Sequence, residues 1–548
     1  MTKAPSGDAD VAQSALMSWA THMGVASVDP VDVRRRLGEG SLPEAIAGSA
    51  LRHSGSTALS IGNLTVTHGE LESWVGRVAS GFRRLGARPG TTVMLVARTG
   101  ISEIAAYLGA LRTGATVVPV GASLTATEVG HMASASGASW AAASGEGLET
   151  CRRAQMSGVA ELVGLNPEDR GISTVQLEDL SQDEMAAMSL DPDAPALLAF
   201  TSGTTGRPKG APLSHRNLLA SIRGAMWAWR WSSNDHLVHS LPISHQHGLG
   251  GVHATLLAGS RATLLPRFEP EALLRTASEQ GATIMFGVPA IHRRMLNRLG
   301  DQVVRLRSLR LITSGSAPLP ADLAIRFEAE AGISLLERYG TTESGLNVSN
   351  PYAGPRMAGT VGLPLPGVEV AILGAEGVTT RSRDSGEVLI RGPQVFGGYT
   401  GEPSSGEPFI EGWFRTGDIG VIDEESGHLR LEGRSTDVII SGGMNVYPRE
   451  VEDVIRRAPG VDDVAVVGVD SDRWGEEVVA FVTPTGVELQ PIWELVARNL
   501  AAYKHPKRIL TSAQLPRSPM GKVLTAELSS RALSSHDIGL AQAEEKEA

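Results

Sequence analysis

Between Glu70 and Gly121 the chain alternates two periods. ELESWVGRVASGFRRLGA carries apolar side chains at helical spacing, TTVMLVA is a continuous apolar run, SEIAAYLGALRTGA returns to helical spacing and TVVPVG is strand-like again. A strand that is apolar on both faces must be covered on both, and intervening helices supply that cover, so the alternation predicts parallel sheets layered with helices. The pattern recurs in RATLLP, ATIMFGVP and LRLITSGS. After about Gly359 it gives way to short strand-like runs, VEVAIL, GEVLIRG and GHLRLEG, separated by Gly, Pro and Asp, which predict a small barrel or sheet appended to the body. Near Asp437 a third pattern starts with DVIISGG, the amphipathic PREVEDVIRRAP and the run VDDVAVVGV.

The expected fold class is therefore α/β: a large N-terminal domain of helix-covered, mostly parallel sheets with a small β-barrel, followed by a small mobile α+β domain. The expected boundaries are an N-terminal extension over 1–40, a large domain over 41–433 with its β-rich part at about 360–433, a hinge at 434–436 and a small domain over 437–548. A length of 548 residues requires more than one core. A net charge of -11 argues against nucleic acid or an anionic membrane as an extended partner. The single cysteine, Cys151, rules out an intramolecular disulfide and is read as a small residue near a helix. With no long apolar run and no leader-like N-terminus, the expectation is a cytoplasmic protein without a membrane span. Composition leaves the oligomeric state open.

TSGTTGRPKG, Thr201 to Gly210, follows the apolar run ALLAF and precedes SHRNLLASIRGAMWAW, whose Ser214 is placed to cap a helix. Glycine–serine runs are most often connectors, but here the expected position is a strand-to-helix junction, where backbone amides, hydroxyls and one lysine can meet a phosphate. The spacing is not that of a Walker loop. Pro208 stands before Lys209, and Gly210 replaces the magnesium-binding hydroxyl.

The segment resembles the phosphate signature of the adenylate-forming superfamily, which includes acyl-CoA synthetases, amino-acid adenylation domains and firefly luciferases. Four later segments resemble its other motifs in the same order: RYGTTESG (Arg338–Gly345), GWFRTGDIG (Gly412–Gly420), GRSTDVIISGGMNVYPREVE (Gly433–Glu452) and PRSPMGK (Pro516–Lys522). The resemblance implies ATP-dependent activation of a carboxylic acid to an acyl-adenylate, release of pyrophosphate and transfer of the acyl group to a nucleophile. It assigns Thr201, Ser202, Gly203, Thr204, Thr205 and Lys209 to the β- and γ-phosphates. Ser314, Gly315, Ser316, Ala317 and Pro318 would flank the adenine, with Arg338, Tyr339, Gly340, Thr341 and Thr342 on its other side. Asp418 would accept from the ribose hydroxyls and Arg434 would lie beside them. Glu343, with Thr205, would hold Mg²⁺, a hard cation that takes oxygen ligands. Lys522 would bridge the carboxylate and the α-phosphate, and Thr342 would lie near that phosphate.

By the same resemblance the small domain rotates after pyrophosphate leaves, so that Gly442 and Gly443 line a tunnel for the thiol of CoA. The hinge position two after the arginine is Thr436, where relatives have Asp or Lys. LPISHQHGLGG carries His245 and His247 where makers of CoA thioesters have a histidine or aromatic gate, with a hydrogen-bonded core residue as the other reading of His247, and lacks the aspartate that holds an amino-acid ammonium. SNPYAGPRMAGTVGLPLPGVEV and ATIMFGVPAIHRRM resemble malonyl-CoA synthetases. A small dicarboxylate keeps one carboxylate after activation, and a buried carboxylate calls for an arginine fork. Arg275 falls where that branch places a cation, with Gly287 and Val288 also along the acyl site, although its own segment reads as an amphipathic surface helix. Lys504, with Lys507 and Arg508, forms a basic cluster able to meet CoA phosphates. The alternatives are a monocarboxylic or aryl acid, a nucleophile other than CoA, and a nucleotide-binding regulator without catalysis.

Overall fold

The apolar runs become strands with both faces covered. In the computed structural model, residues 29–154, 156–165, 175–176, 183–201, 209–299, 306–354, 356–380, 382–401, 408–435, 437–441, 444–471, 473–518 and 521–534 are described. They divide into two compact units, one drawn from Met1–Gly315, Ala321–Val370 and Ile390–Phe414, the other from Ser316–Pro320, Ala371–Leu389 and Arg415–Ala548.

The larger unit holds two sheets. A seven-stranded sheet runs, in spatial order, Val175–Gln176, Glu161–Gly164, Trp140–Ala143, Thr92–Ala97, Thr116–Gly121, Pro195–Thr201 and Lys209–Ser214. Its pairings are parallel except the last. A nine-stranded sheet runs Leu363–Pro364, Gly345–Ser349, Leu336–Thr341, Leu311–Ser314, Ile284–Gly287, His236–His239, Arg261–Leu264, Thr57–Ile61 and Leu64–Thr67. Its middle is parallel and both ends are antiparallel. The expected alternation is borne out: Ile101–Arg112, read as a helix, is buried at every position but Ser102, as suits a helix between two apolar layers. Cys151 is buried against the first sheet, with Met94, Val96 and Leu148.

Residues before 41 contribute to this unit. Asp29 caps a helix over Pro30–Leu37 by accepting from the Val31 amide. Its Val33 and Leu37 pack with Ala220 and Trp227 of the His215–Ala228 helix. Arg223 of that helix donates to the carbonyls of Arg36, Leu37 and Glu39, satisfying acceptors that a helix end leaves open. Residues 1–28 of the extension lie outside the described residues.

In the smaller unit, antiparallel pairs run through 371–379 and between Arg415–Ile422 and Leu429–Arg434. A second sheet has the order Met444–Val446, Ile439–Ser441, Gly475–Thr483 and Asp463–Ser471, with Arg508–Thr511 parallel to Gly475–Thr483. The helices Pro448–Ile455 and Gln490–Asn499 bury one face of it, around Val451, Ile455, Val466, Ile492 and Val496. Thr525–Ser534 covers the other through Leu528 and Ala532. Among the described residues no helix is long and apolar enough to cross a membrane.

Candidate active site

Thr201 and Lys209 are cross-strand partners, so the glycine–hydroxyl loop closes a β-hairpin and is not a strand-to-helix junction. Lys209–Ser214 is the terminal strand of its sheet, the one place where Pro212 can sit without costing a ladder bond. The helix begins at His215, and Ser214 caps it as expected, exchanging hydrogen bonds with Asn217. Ser202, Gly203, Thr204 and Thr205 lie outside the described residues; Thr201 and Lys209 are half-buried at the hairpin's two ends.

Lys209 and Glu343, 134 positions apart in the chain, meet at one aromatic ring. The Lys209 Nζ lies 5.6 Å from the centroid of Tyr399, whose hydroxyl donates to Glu343 Oε1 at 2.7 Å. Glu343 is buried in the turn between Leu336–Thr341 and Gly345–Ser349. That turn is tied down on several sides. Gln246 donates to the Thr342 carbonyl, the Leu346 amide donates to Ser221 Oγ at 2.9 Å, and Thr341 and Asn347 bond to the Ser344 hydroxyl. Gly345 has φ +60°, and a Cβ there would collide with Ser221, so the turn needs glycine twice over. Gly340 and Tyr339 precede the turn, Tyr339 with only 8% of its surface exposed. Among the described residues no group of three or more His, Cys, Asp or Glu is arranged to hold a metal. A hard cation at Glu343 would have to take most of its oxygens from phosphate and water, which is how Mg²⁺ is usually held beside nucleotides.

A second set of residues converges at the carboxyl ends of the parallel strands in the nine-stranded sheet, where ligands bind in open α/β folds. Ser314 ends one strand and pairs in register with Gly287 on one side and Glu337 on the other. Arg338 is 6% exposed, and its Nε and Nη2 have no hydrogen-bond partner among the described residues. Neither does Ser314 Oγ, Thr313 Oγ1 or His292 Nδ1. Gly315 lets the guanidinium approach, since a Cβ there would strike it. Burial alone pulls the Arg338 pKa down to about 9, so at neutral pH the group is a buried cation. Around it stand His247, its ring tilted against Phe286 with centroids 5.4 Å apart, His239 and His292. Burial holds His239 and His292 down to about 4, and burial followed by the Arg338 charge holds His247 well below its usual value. The guanidinium is thus a buried cation beside imidazoles that burial keeps neutral. Val288 is buried and His245 is exposed at the start of the Gln246–Ala258 helix. Arg275 does not join this pocket: it is exposed on Pro270–Glu279 and lines a surface cavity of about 690 Å³ with Glu271, Arg294 and Arg298. The buried cation is Arg338, which the reading of the sequence had assigned only to the nucleotide.

The smaller unit brings together residues from three of the later motifs. Asp418 and Arg434 face each other in register, and Arg434 Nε donates to Asp418 Oδ1 at 2.9 Å. The Lys522 ammonium is close enough for its pKa to be lowered, first by partial burial and then by Arg434, against the opposing pull of Asp437 and Asp418. The Pro516–Lys522 segment is shaped by Ser518, whose amide donates to the Lys522 carbonyl while its hydroxyl accepts from the Lys522 amide. Ser316 (φ +66°) and Pro318 are exposed, Ala317 half-buried. Gly442, Gly443 and Thr436 lie outside the described residues. Of the basic cluster, Lys504 is held by both oxygens of Glu450 at 2.6 Å and Arg508 by Glu477, whereas Lys507 lies over the Trp474 ring, which Arg473 also approaches.

Residues 46–400 match the family described as AMP-binding enzyme, and residues 450–522 match the AMP-binding enzyme C-terminal domain. A feruloyl-CoA synthase of an Amycolatopsis species is 33% identical over 484 residues, covering 87% of this chain and 96% of that protein. A malonate–CoA ligase of Arabidopsis thaliana is 32% identical over 488 residues, covering 83% and 80%. The crystal structure of ATP-bound MatB from Rhodopseudomonas palustris superposes with a TM-score of 0.80 at 33% identity, covering 88% of this chain and 98% of that one. Both sheets and the smaller unit's fold thus recur in a relative solved with ATP, and the chain belongs to the AMP-binding enzymes, as an acyl-CoA synthetase of the adenylate-forming superfamily.

Proposed function

We infer that this protein is an acid–thiol ligase that adenylates a small dicarboxylic acid with ATP and passes the acyl group to CoA, malonate being the first acid to test. The observation that carries the choice of acid is Arg338. A buried guanidinium with two nitrogens unpaired among the described residues is costly, and a ligand carboxylate in the same pocket would relieve that cost. The Ser314 hydroxyl and a neutral His247 N–H would complete its hydrogen bonds, while His292, whose Nε2–H donates to the Thr313 carbonyl, presents an acceptor at Nδ1. Activation consumes one carboxylate and leaves the other charged, so an anchor for the spare one selects diacids over monoacids of similar size. The second reading, an aryl acid, draws on the feruloyl-CoA synthase, 33% identical against 32% for the malonate–CoA ligase, and on the Phe286 ring that lines the pocket.

In this reading Thr201, Lys209 and the loop between them hold the β- and γ-phosphates. Asp418 accepts from ribose, Arg434 steers it, and Tyr339 and Ser314–Pro318 border the base. Glu343 and Thr205 would hold Mg²⁺, which when bound would offset phosphate charge. Lys522 donates to the oxygens on which charge develops as the acid attacks the α-phosphorus, releasing pyrophosphate. Rotation about 434–436 then brings Gly442 and Gly443 to the thiol path, with His245 as its gate and Lys504 and Lys507 towards the CoA phosphates. A cytoplasmic setting, where ATP and CoA are both at hand, suits the reaction.

ATP–pyrophosphate exchange across malonate, methylmalonate, oxalate, acetate, butyrate and ferulate, followed by mass spectrometry with and without CoA, tests this. We expect diacid-dependent exchange and a CoA thioester. Exchange with ferulate alone would select the aryl reading, and ATP binding with no exchange for any acid would favour the non-catalytic regulator. Lys522→Ala should lower exchange by about 10²–10³-fold while sparing transfer from a supplied acyl-adenylate; equal loss of both would remove Lys522 from this role.

A further inference from the structure

The segment from Pro393 to Thr400 carries none of the motifs above, yet it is fastened at several points to the Glu343 turn, to the strand that begins at Lys209 and to the helix that follows it. Asn217, three residues past the cap of the helix that follows the phosphate hairpin, donates to the carbonyls of Pro393 and Val395 at 2.9 and 2.8 Å. Gln394 donates to Asn347 beyond the Glu343 turn. The Phe396 amide donates to the Glu343 carbonyl at 2.9 Å, and the Thr400 amide donates to the Gly210 carbonyl at 2.9 Å, next to Lys209. Between these two anchors stands Tyr399, half-buried, its ring set edge-on to Phe396 at 4.9 Å. Its hydroxyl is on Glu343 Oε1 and its face is under the Lys209 ammonium.

Such an arrangement restrains two opposite charges through one rigid group. A phenol donating to a carboxylate fixes the rotation of that carboxylate and engages one of its oxygens. An aromatic face attracts an ammonium without forming an ion pair with it, so it can hold that group beside an anion site without competing as an anion itself. A carboxylate or lysine in this position would instead form an ion pair with its neighbour and withdraw it from the ligand.

We propose that Tyr399 is a positioning residue for nucleotide activation, orienting the Glu343 carboxylate towards a divalent cation and the Lys209 ammonium towards the phosphates. The inference rests on the reading of Glu343 as a cation ligand and of Lys209 as a phosphate ligand. It names no direct contact between Tyr399 and the nucleotide.

The test compares the whole enzyme with Tyr399→Phe, Tyr399→Leu and Glu343→Gln. Binding of Mn²⁺ is read by electron paramagnetic resonance in the presence of a non-hydrolysable ATP analogue, and binding of the analogue without metal is read by calorimetry. Tyr399→Phe keeps the ring and should weaken Mn²⁺ binding by about tenfold, the size expected for one hydrogen bond to a charged group. It should leave metal-free analogue affinity within about twofold, whereas Tyr399→Leu should weaken both, because the platform under Lys209 is gone. The KM for the acid should not move in either variant, which separates positioning from general loosening of the fold. If Tyr399→Phe binds Mn²⁺ like the wild type while Glu343→Gln does not, the proposal fails and Glu343 keeps its role. If Glu343→Gln also binds Mn²⁺ normally, the cation reading fails and takes the proposal with it.

Discussion

Two arginines at opposite edges of the nine-stranded sheet differ in what surrounds them. Arg310, at the amino edge, donates to both oxygens of the buried Asp235 at 2.7 and 2.8 Å and to the carbonyls of Trp229 and Arg230. Asp235 in turn accepts from Thr283 and the Ser232 amide, and His236 beside it is bonded through both ring nitrogens. Arg338, at the carboxyl edge, is more deeply buried, and its Nε and Nη2 have no hydrogen-bond partner among the described residues. Buried polar groups are nearly always paired. An edge that is fully paired within the protein is therefore a strut, and one that is not leaves its hydrogen bonds for something that arrives. The sheet supplies identical backbone to both edges; the difference lies wholly in side chains.

Acidification strains both edges at once and should give the largest effect. Burial holds His236 at the amino edge and His239 and His292 at the carboxyl edge down to about 4, against about 6.5 in an unfolded chain. A lowered histidine pKa means the unfolded chain binds more protons, so the stability these residues confer is complete above about pH 6.5 and falls as pH drops towards about 4. Each should contribute a slope of up to about 1.4 kcal/mol per pH unit in that window, read from urea midpoints. Midpoints flat from pH 7 to 5 would mean the imidazoles are solvated.

Arg310→Met should come next, lowering stability by about 3–5 kcal/mol because Asp235 is left buried without its cation, while kcat/KM per folded molecule stays near wild type. Arg338→Met should do the reverse. Acid-dependent exchange should fall by about 30-fold to 10³-fold, as when one member of a buried charge pair is truncated, and the melting temperature should hold or rise. Equal loss of stability in the two variants would erase the distinction between the edges. The smallest effect is expected for Arg275→Ala, within about 0.5 kcal/mol in stability and without change in the KM for the acid, since its side chain is exposed. A raised KM there would move the carboxylate anchor back to the surface helix.

The layered fold was legible because continuous apolar runs such as TTVMLVA admit few other environments. The phosphate hairpin was not, because KGAPLS has almost no β-forming side chains and its strand is defined by pairing with Pro195–Thr201. Arg275 and Arg338 show the same limit from the other side. Helical periodicity placed Arg275 on an amphipathic segment and left its face open, and the structure turns it outwards. LERYGT is buried over its first four residues, so no alternation marks Arg338, and whether a guanidinium finds partners is a tertiary fact. Tyr399 left no local signal because the glutamate it holds is 56 positions away.

The helix at Pro30–Leu37 bears on how this protein should be handled at the bench. Cutting the chain at residue 41, where sequence texture alone would put the boundary, would lay Ala220 and Trp227 open to water and leave Arg223 without the three carbonyls it now serves. Both losses would fall on the helix that also carries Asn217 and Ser221. Expression trials should therefore begin no later than Asp29, and a shorter version that precipitates would say nothing against the enzyme.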